Sequence, residues 1–394
     1  MMPSFTFSIP TQIQFGPGIS RQAGAVIKSL TASRDDAAKT GVLLVIDPGI
    51  KDAPWVKDIL ASIQESGLEY LTFEEVKPNP RDEDVYRAAS ILKEKHFEAV
   101  VAIGGGSTID TAKTAALLAA HGGKVGDYAG WAKVPGPVLP QVAIPTTAGS
   151  GSEATCWAVI TDSLSHNKLA IGDRNLAPAV ALVDPALTLS LPAGLTAATG
   201  MDVLTHAIEA YLSALTSPVN DLLALEAIRL VSANLRRVVT KGDDLEARAA
   251  MMLASTLGGI VINNADVAGV HCLSESMGSL YDAPHGLLNA ILLPYFMVFW
   301  QKGCGERFAH IAEAFGVAPN PDEAVGQVIE LNRWLKFPSL ADIGVKRQDL
   351  QQLSETAASN VSNSSNPVPM MASDYLGILE QAMDGQLSRV DEKG

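Results

Sequence analysis

The chain has 394 residues, 47% hydrophobic and only 18% charged, with 33 Gly, 22 Pro and a formal net charge of −14. This composition excludes a disordered chain, and at about 100–200 residues per domain it predicts two or three domains, each with its own core. The acidic excess excludes broad binding to nucleic acid or to an anionic membrane, which needs surplus cations, so a phosphate-bearing ligand has to be held by backbone amides.

In chain order, Val42–Ile46 (VLLVI) reads as a strand, Trp55–Gln64 as a helix and Tyr70–Phe73 as a strand. Asp84–Lys95 reads as a helix, Ala99–Ile103 (AVVAI) as a strand, Thr111–Ala120 as a helix and Val142–Ile144 as a strand. Strands alternating with helices predict βαβ units on a parallel sheet, and apolar runs without alternation fit strands covered on both faces. After Leu191 the strand signals fade, and Thr196–Ser213, Asn220–Val239, Leu245–Ile262 and His271–Leu280 carry helical spacing. The predicted fold class is an α/β N-terminal domain over residues 1–190, built on a doubly wound parallel sheet. An all-α C-terminal domain follows over residues 191–394, with a cleft between the two. SLPAG at Ser190–Gly194 marks the boundary, and Ser359–Pro369 (SNVSNSSNPVP) reads as loop. Interdomain clefts are favoured ligand sites.

The longest strongly apolar stretch, Ala290–Trp300, is interrupted by Pro294 and is shorter than the about 20 residues of a membrane span. The opening MMPSFTFSIP lacks a basic head, an apolar block and a small-residue cleavage site. Cys156, Cys272 and Cys304 form no CxxC pair. No membrane partner, no disulfide frame and a reducing cytoplasm are expected.

VVAIGGGSTIDTAK at Val100–Lys113 runs a buried strand through three glycines into a helix. Glycines there let the backbone approach an anion, and the amides of a helix start hold a pyrophosphate without basic side chains. Ser107 and Asp110 stand at capping-box spacing, which is the plainer use of both. The run is not GxGxxG, because the sixth position is Ile109, and no GK[ST] follows to make a Walker loop. VAIPTTAGSGSE at Val142–Glu153 supplies a second loop, with hydroxyls from Thr146, Thr147, Ser150 and Ser152. Two such loops would lie side by side on the carboxyl edge of one sheet. Asp47 ends the strand VLLVID. An acid there takes the ribose hydroxyls of NAD and repels the extra phosphate of NADP, or it caps the turn before Pro48–Gly49. A dinucleotide is the expected ligand, although not by the usual fingerprint, and Asp47 in the ribose-binding role would select NAD over NADP.

GMDVLTHAIEAY at Gly200–Tyr211 places Asp202 and His206 one turn apart on one helix face. A buried Asp beside a His needs a partner, and a divalent cation supplies one. GVHCLSESMGSLYDAPHGLLN at Gly269–Asn289 adds His271 and His285, with Pro284 breaking the helical run so that His285 opens a new helix. One Asp with three His suits Fe(II) or Zn(II) rather than Ca or Mg. The same residues serve as an intrahelical polar pair and a helix cap, and spacing alone leaves both uses open.

Taken together, IGGGSTIDTAK, IPTTAGSGSE, ALVDPALTLSLPAGLTAATGMDVLTHAIEAY and YDAPHG resemble the iron-containing (group III) alcohol dehydrogenases. The similarity runs from FGPG at Phe15–Gly18 to Asn366–Pro367. It implies metal ligation by Asp202, His206, His271 and His285. It implies dinucleotide contacts from Asp47, Asn79 in KPNP, Gly105, Gly106, Ser107, Asp110, Thr146, Thr147 and Ser150, with Val159 and Lys168 lining the nucleotide or the cleft. Asn79 serves equally as a turn residue and Lys168 as a surface lysine. Four residues past the first downstream ligand, where many members carry His, this chain has Glu275. Glu275 and His271 are the candidate catalytic residues, and the Glu275 carboxylate relays a proton, binds a polar substrate group, or sits so near the metal that it alters the ligation. Cys272 reads as packing.

The implied activity is that of an NAD-dependent alcohol dehydrogenase, a reversible hydride transfer between a small alcohol or aldehyde and NAD with a metal on the substrate oxygen. The implied assembly is a homodimer or a higher homo-oligomer. The alternatives are a maleylacetate-reductase-like or glycerol-dehydrogenase-like oxidoreductase, a dehydroquinate-synthase-like lyase, and a non-catalytic nucleotide-binding protein. The lyase calls for several basic residues near the metal, yet residues 202–211 and 271–289 contain no Lys or Arg.

Overall fold

The computed structural model describes residues 4–31, 41–385 and 387; the remaining residues of the two expected domains lie outside the described residues. Two compact units are present. One comprises Ser8–Leu191 with Gly242–Met252. The other comprises Pro192–Lys241 and the described residues from Leu253 onward, with those before Ser8.

The first unit runs β1 (Gln12–Phe15), α1 (Ala23–Thr31), β2 (Gly41–Ile46), α2 (Pro54–Glu65), β3 (Glu69–Phe73), α3 (Asp82–Glu94), β4 (Ala99–Gly104) and α4 (Gly106–His121). It continues through β5 (Gly130–Trp131), β6 (Gln141–Pro145), β7 (Trp157–Thr161), β8 (Lys168–Gly172) and β9 (Val180–Val183). Six strands pair in the order β1-β9-β6-β4-β2-β3, all parallel. β2, β4 and β6 are buried along their whole length, because helices cover both faces. Val42, Leu44 and Ile46 pack with Ile27 of α1 and Val56, Ile59 and Ile63 of α2. Leu43 and Val45 point the other way, onto Val85 and Leu92 of α3 and Ile109 and Leu117 of α4. Alternate side chains of one strand thus serve two cores, which removes the polar alternation of a half-exposed strand.

Ile46 pairs with Ile103, and Gly104 with Pro145. The three central strands therefore end level on the carboxyl edge, where open parallel sheets bind ligands. β7 and β8 are antiparallel and form, with β5, a separate three-stranded sheet. The strand readings end at Val142–Ile144 and miss this sheet, whose strands are only two to five residues long.

The second part of the chain carries α5 (Ala193–Leu212), α6 (Pro218–Thr240), α7 (Leu245–Ala265), α8 (Gly269–Tyr281), α9 (His285–Ala314), α10 (Pro321–Leu335), α11 (Leu350–Ala358) and α12 (Ala372–Asp384). From Gly200 to Leu212 every residue of α5 is buried. α7 is long and apolar enough to cross a membrane by length and composition alone, but 61% of its apolar window is buried inside the fold. Among the described residues it is the one helix of that length and composition.

Pro294 does not end α9; the helix leaves helical geometry only at Cys304, at φ −138°. A proline inside a helix strips the carbonyl four residues earlier of its donor, and Asn332 Nδ2 donates to the carbonyl of Ala290 instead. The polar segment Ser359–Pro369 includes a 3-10 turn at Val361–Ser365. It is held in the fold rather than solvated, with Ser362, Ser365 and Asn366 all buried. Ser362 and Ser365 hydroxyls donate to Asp266 at 3.0 and 2.7 Å, and the Gly269 amide at the start of α8 donates to Asn366 Oδ1 at 3.0 Å.

Candidate metal centre and cofactor loops

Asp202, His206 and Glu209 follow one another by four and three residues, so they form a single stripe along α5. His271 lies in the first turn of α8, and His285 is the first residue of α9, immediately after Pro284. A Cβ on Gly286 would meet the carbonyl oxygen of Ala198 at 2.5 Å, so only glycine lets α9 approach α5 this closely. The Nε2 atoms of His206, His271 and His285 lie 4.0, 3.9 and 3.8 Å from Asp202 Oδ1. Donor atoms of Asp202, His271 and His285 all fall within 4.8 Å of one another. The His206 and His271 rings stack at 4.7 Å. Asp202, His206 and His271 are buried, whereas the His285 side chain is 30% exposed, so the cluster opens on that side.

Burial pushes the Asp202 carboxyl up, but the imidazoles of His206, His285 and His271 and the Asn289 amide together outweigh it and hold the group below its usual range. Burial also works against a charged His271, yet the Glu209 carboxylate, then Asp202 and Glu275, raise it overall. Glu209 is wholly buried. It accepts hydrogen bonds from the backbone amides of Val270 (2.7 Å) and His271 (3.4 Å) and from His271 Nδ1. A carboxylate only accepts, so His271 directs an Nδ1 proton at Glu209, and in the neutral ring the Nε2 lone pair then faces Asp202. One carboxylate oxygen and imidazole nitrogens converging in a buried pocket are a donor set that a divalent transition-metal cation fits.

Glu275 stands one turn past His271, and its Oε2 accepts from Asn360 Nδ2 at 2.8 Å. Cys272 is wholly buried, and burial pushes its thiol well above the usual value, which matches a packing role.

In the first unit, α4 starts at Gly106 directly after β4, with Gly105 at its cap and no side chain capping it among the described residues. The capping box expected of Ser107 and Asp110 is not formed. Both Asp110 oxygens are instead engaged, accepting from Ser152 Oγ at 2.5 Å and from the Val159 amide at 2.9 Å, because the 152–159 segment folds back over α4. A Cβ on Gly105 would lie 3.1 Å from Thr147 Oγ1, and one on Gly106 2.7 Å from Ser150 Oγ. The two small-residue loops are therefore in contact, and glycine permits the approach.

The amides of Asp47 and Thr146 donate to the carbonyls of Ile103 and Gly104, both at 3.0 Å. These bonds set Asp47, Gly105 and Thr146 side by side on the carboxyl edge. Asp47 Oδ1 also accepts from the Gly49 amide at 2.8 Å, so it does close the turn. Asn79 adopts φ +52°, a left-handed conformation that Asn tolerates. Pro80 beside it accepts from the Thr161 amide at 2.7 Å. Lys168 opens β8 opposite Thr161 and is close enough to Asp110 to help lower that carboxyl against the dominant effect of burial. Asn79, Asp110, Val159 and Lys168 thus gather around β7.

Three polar residues escaped the sequence reading. Glu209 continues the Asp202–His206 stripe by one step, a periodicity that was available. Asn289 sits four past His285 in an otherwise apolar run. Lys113 is wholly buried on α4, and its Nζ donates to the carbonyls of Thr155 and Trp157 at 2.9 and 2.7 Å, pinning the segment that carries Val159.

Residues 10–185 match the family model of the iron-containing alcohol dehydrogenases, and residues 196–383 match that of the C-terminal part of the Fe-containing alcohol dehydrogenase family. The chain is 37% identical over 385 residues to the NAD-dependent methanol dehydrogenase of Bacillus methanolicus, spanning 96% of this chain and 99% of that protein. It is 36% identical over 389 residues to the 1,3-propanediol dehydrogenase of Citrobacter freundii, spanning 96% and 98%. The crystal structure of a 1,3-propanediol oxidoreductase superposes with a TM-score of 0.91 at 35% identity, covering 96% of this chain and all of that one. With both parts of the chain matched and full-length relatives above the level at which fold and family diverge, this protein belongs to the iron-containing alcohol dehydrogenase family.

Proposed function

We propose that the protein is an NAD-linked alcohol dehydrogenase and aldehyde reductase for small alcohols, with Fe(II) or Zn(II) held by Asp202, His206, His271 and His285. The observation that carries this reading is the approach of three imidazole nitrogens to Asp202 Oδ1 at 3.8–4.0 Å, with the far side of His271 occupied by Glu209. A bound divalent cation supplies a Lewis acid that favours the ionised alcohol in one direction and polarises the aldehyde carbonyl in the other.

The protein's own groups bind and orient. Asp202 sets the charge of the pocket, and Glu209 keeps His271 in the ligating tautomer. The half-exposed His285 side leaves room for a substrate oxygen. The backbone at Gly105, Gly106 and Ser107, with the hydroxyls of Thr146, Thr147 and Ser150, holds the pyrophosphate at the start of α4. Asp47 takes the adenosine ribose hydroxyls. Asn79, Val159 of β7 and Lys168 of β8 line the nucleotide, while Asp110 contributes by fixing the Val159 backbone. Glu275, oriented by Asn360, accepts the alcohol proton as hydride leaves the same molecule for the nicotinamide ring. The spacing of Cys156, Cys272 and Cys304, with no CxxC pair, supports a cytoplasmic setting, and the family likeness supports a homodimer or larger homo-oligomer.

The test mixes metal-loaded protein with NADH and a panel of small aldehydes and follows loss of NADH absorbance. Turnover of at least one aldehyde is expected. No turnover together with no retained metal overturns the reading.

A further inference from the structure

Asn289 lies four residues past His285 on the same face of α9 and is wholly buried. Its Nδ2 is 2.7 Å from Asp202 Oδ1, 3.1 Å from His271 Nε2 and 3.2 Å from His285 Nε2. Its Oδ1 is buried with no hydrogen-bond partner among the described residues. Two amide hydrogens cannot serve three acceptors at once, and the two imidazole lone pairs are those a cation takes. The lasting partner of the amide is therefore the Asp202 carboxylate. The two ends of a carboxamide have nearly the same shape, so chemistry chooses the orientation. Reversed, the carbonyl would face a carboxylate oxygen and repel it. The orientation adopted leaves that carbonyl buried and unsatisfied, a penalty that an apolar side chain of similar volume avoids. Packing alone gives no reason for asparagine here.

We propose that Asn289 is a positioning residue of the metal centre. Its amide N–H holds the Asp202 carboxylate in the rotation that aims a lone pair at the point faced by His271 Nε2 and His285 Nε2. An amide nitrogen has no lone pair to offer a cation, so the side chain acts through Asp202. This inference rests on the metal-dependent reading of the same pocket.

The experiment compares wild type with Asn289→Leu, which keeps the volume and removes the donor. Affinity for Co(II) is measured by competition with a chromophoric chelator. The visible ligand-field spectrum of the Co(II) form and the thermal unfolding of the chelator-treated protein are recorded beside it. Affinity is expected to fall about 10–100-fold with altered ligand-field bands, while the unfolding temperature stays equal or rises. Asn289→Ala is read in the same way should the leucine variant not fold. Unchanged affinity and spectrum in a folded variant overturns the proposal, and so does failure of both variants to fold, which assigns Asn289 to the fold. Wild type that binds no Co(II) instead overturns the metal-dependent reading itself.

Discussion

Glu209→Gln isolates the effect of one buried charge on the tautomer of a ligand. In the protein as it stands, Glu209 Oε1 accepts from the Val270 and His271 backbone amides and Oε2 accepts from His271 Nδ1. Glutamine offers only one carbonyl oxygen. Should it stay on the backbone amides, its NH2 group meets His271 Nδ1, and the imidazole must move its proton to Nε2. That proton occupies the lone pair now directed at Asp202. Should the carbonyl turn to Nδ1 instead, the NH2 group meets two backbone donors in a site that water does not reach. Either way a charge-assisted hydrogen bond is lost, about 1.5–3 kcal/mol. At about 1.4 kcal/mol per decade that is about 10–100-fold in metal affinity, the range of other substitutions behind a ligating histidine. Chelator competition with Zn(II) measures it, with NAD binding followed in parallel as the control for folding. An affinity equal to that of the wild type would refute the tautomer argument, and an equal loss of NAD binding would show that Glu209 serves the fold at large.

Asp47→Gly is expected to relax discrimination against NADPH by about tenfold, as a like-charge contact worth about 1.4 kcal/mol disappears; an unchanged ratio of kcat/KM for the two cofactors retires Asp47 as the ribose-binding acid. Removal of metal by dialysis against a chelator should lower the Tm, since metal at 100 times its Kd contributes about 2.7 kcal/mol. Hydrogen exchange should quicken in α8 and the first turn of α9, and uniform exchange across the chain would contradict the placement of the site. Asn332→Leu should destabilise the protein by about 1–3 kcal/mol in urea unfolding, because it withdraws the donor from the Ala290 carbonyl exposed by Pro294. A smaller loss than that of an ordinary surface substitution would show that this carbonyl finds another partner.

Much of the fold follows from local rules. VLLVI and AVVAI read as covered strands because a parallel sheet with helices on both faces leaves no polar alternation. The short strands around Trp157 and Lys168 were hidden because their pairing, not their composition, makes them strands. Asp202 and His206 were visible as a pair through helical periodicity, and Glu209 lies on the same stripe, but an acid at that spacing reads equally well as a solvated or intrahelical partner. Its meaning comes from Val270 and His271, 61 and 62 positions away in sequence.

The order of residues along the chain determined which side chains ride on which helix and where each helix begins, since a 3.6-residue period, a proline before His285 and glycines after β4 act within a few bonds. Only the packing of α5, α8 and α9 decided that Asp202 and Asn289, 87 residues apart, would share a hydrogen bond. Such convergence is set by the sum of many buried contacts and by a glycine small enough to let two helices meet, quantities that no single stretch of sequence contains.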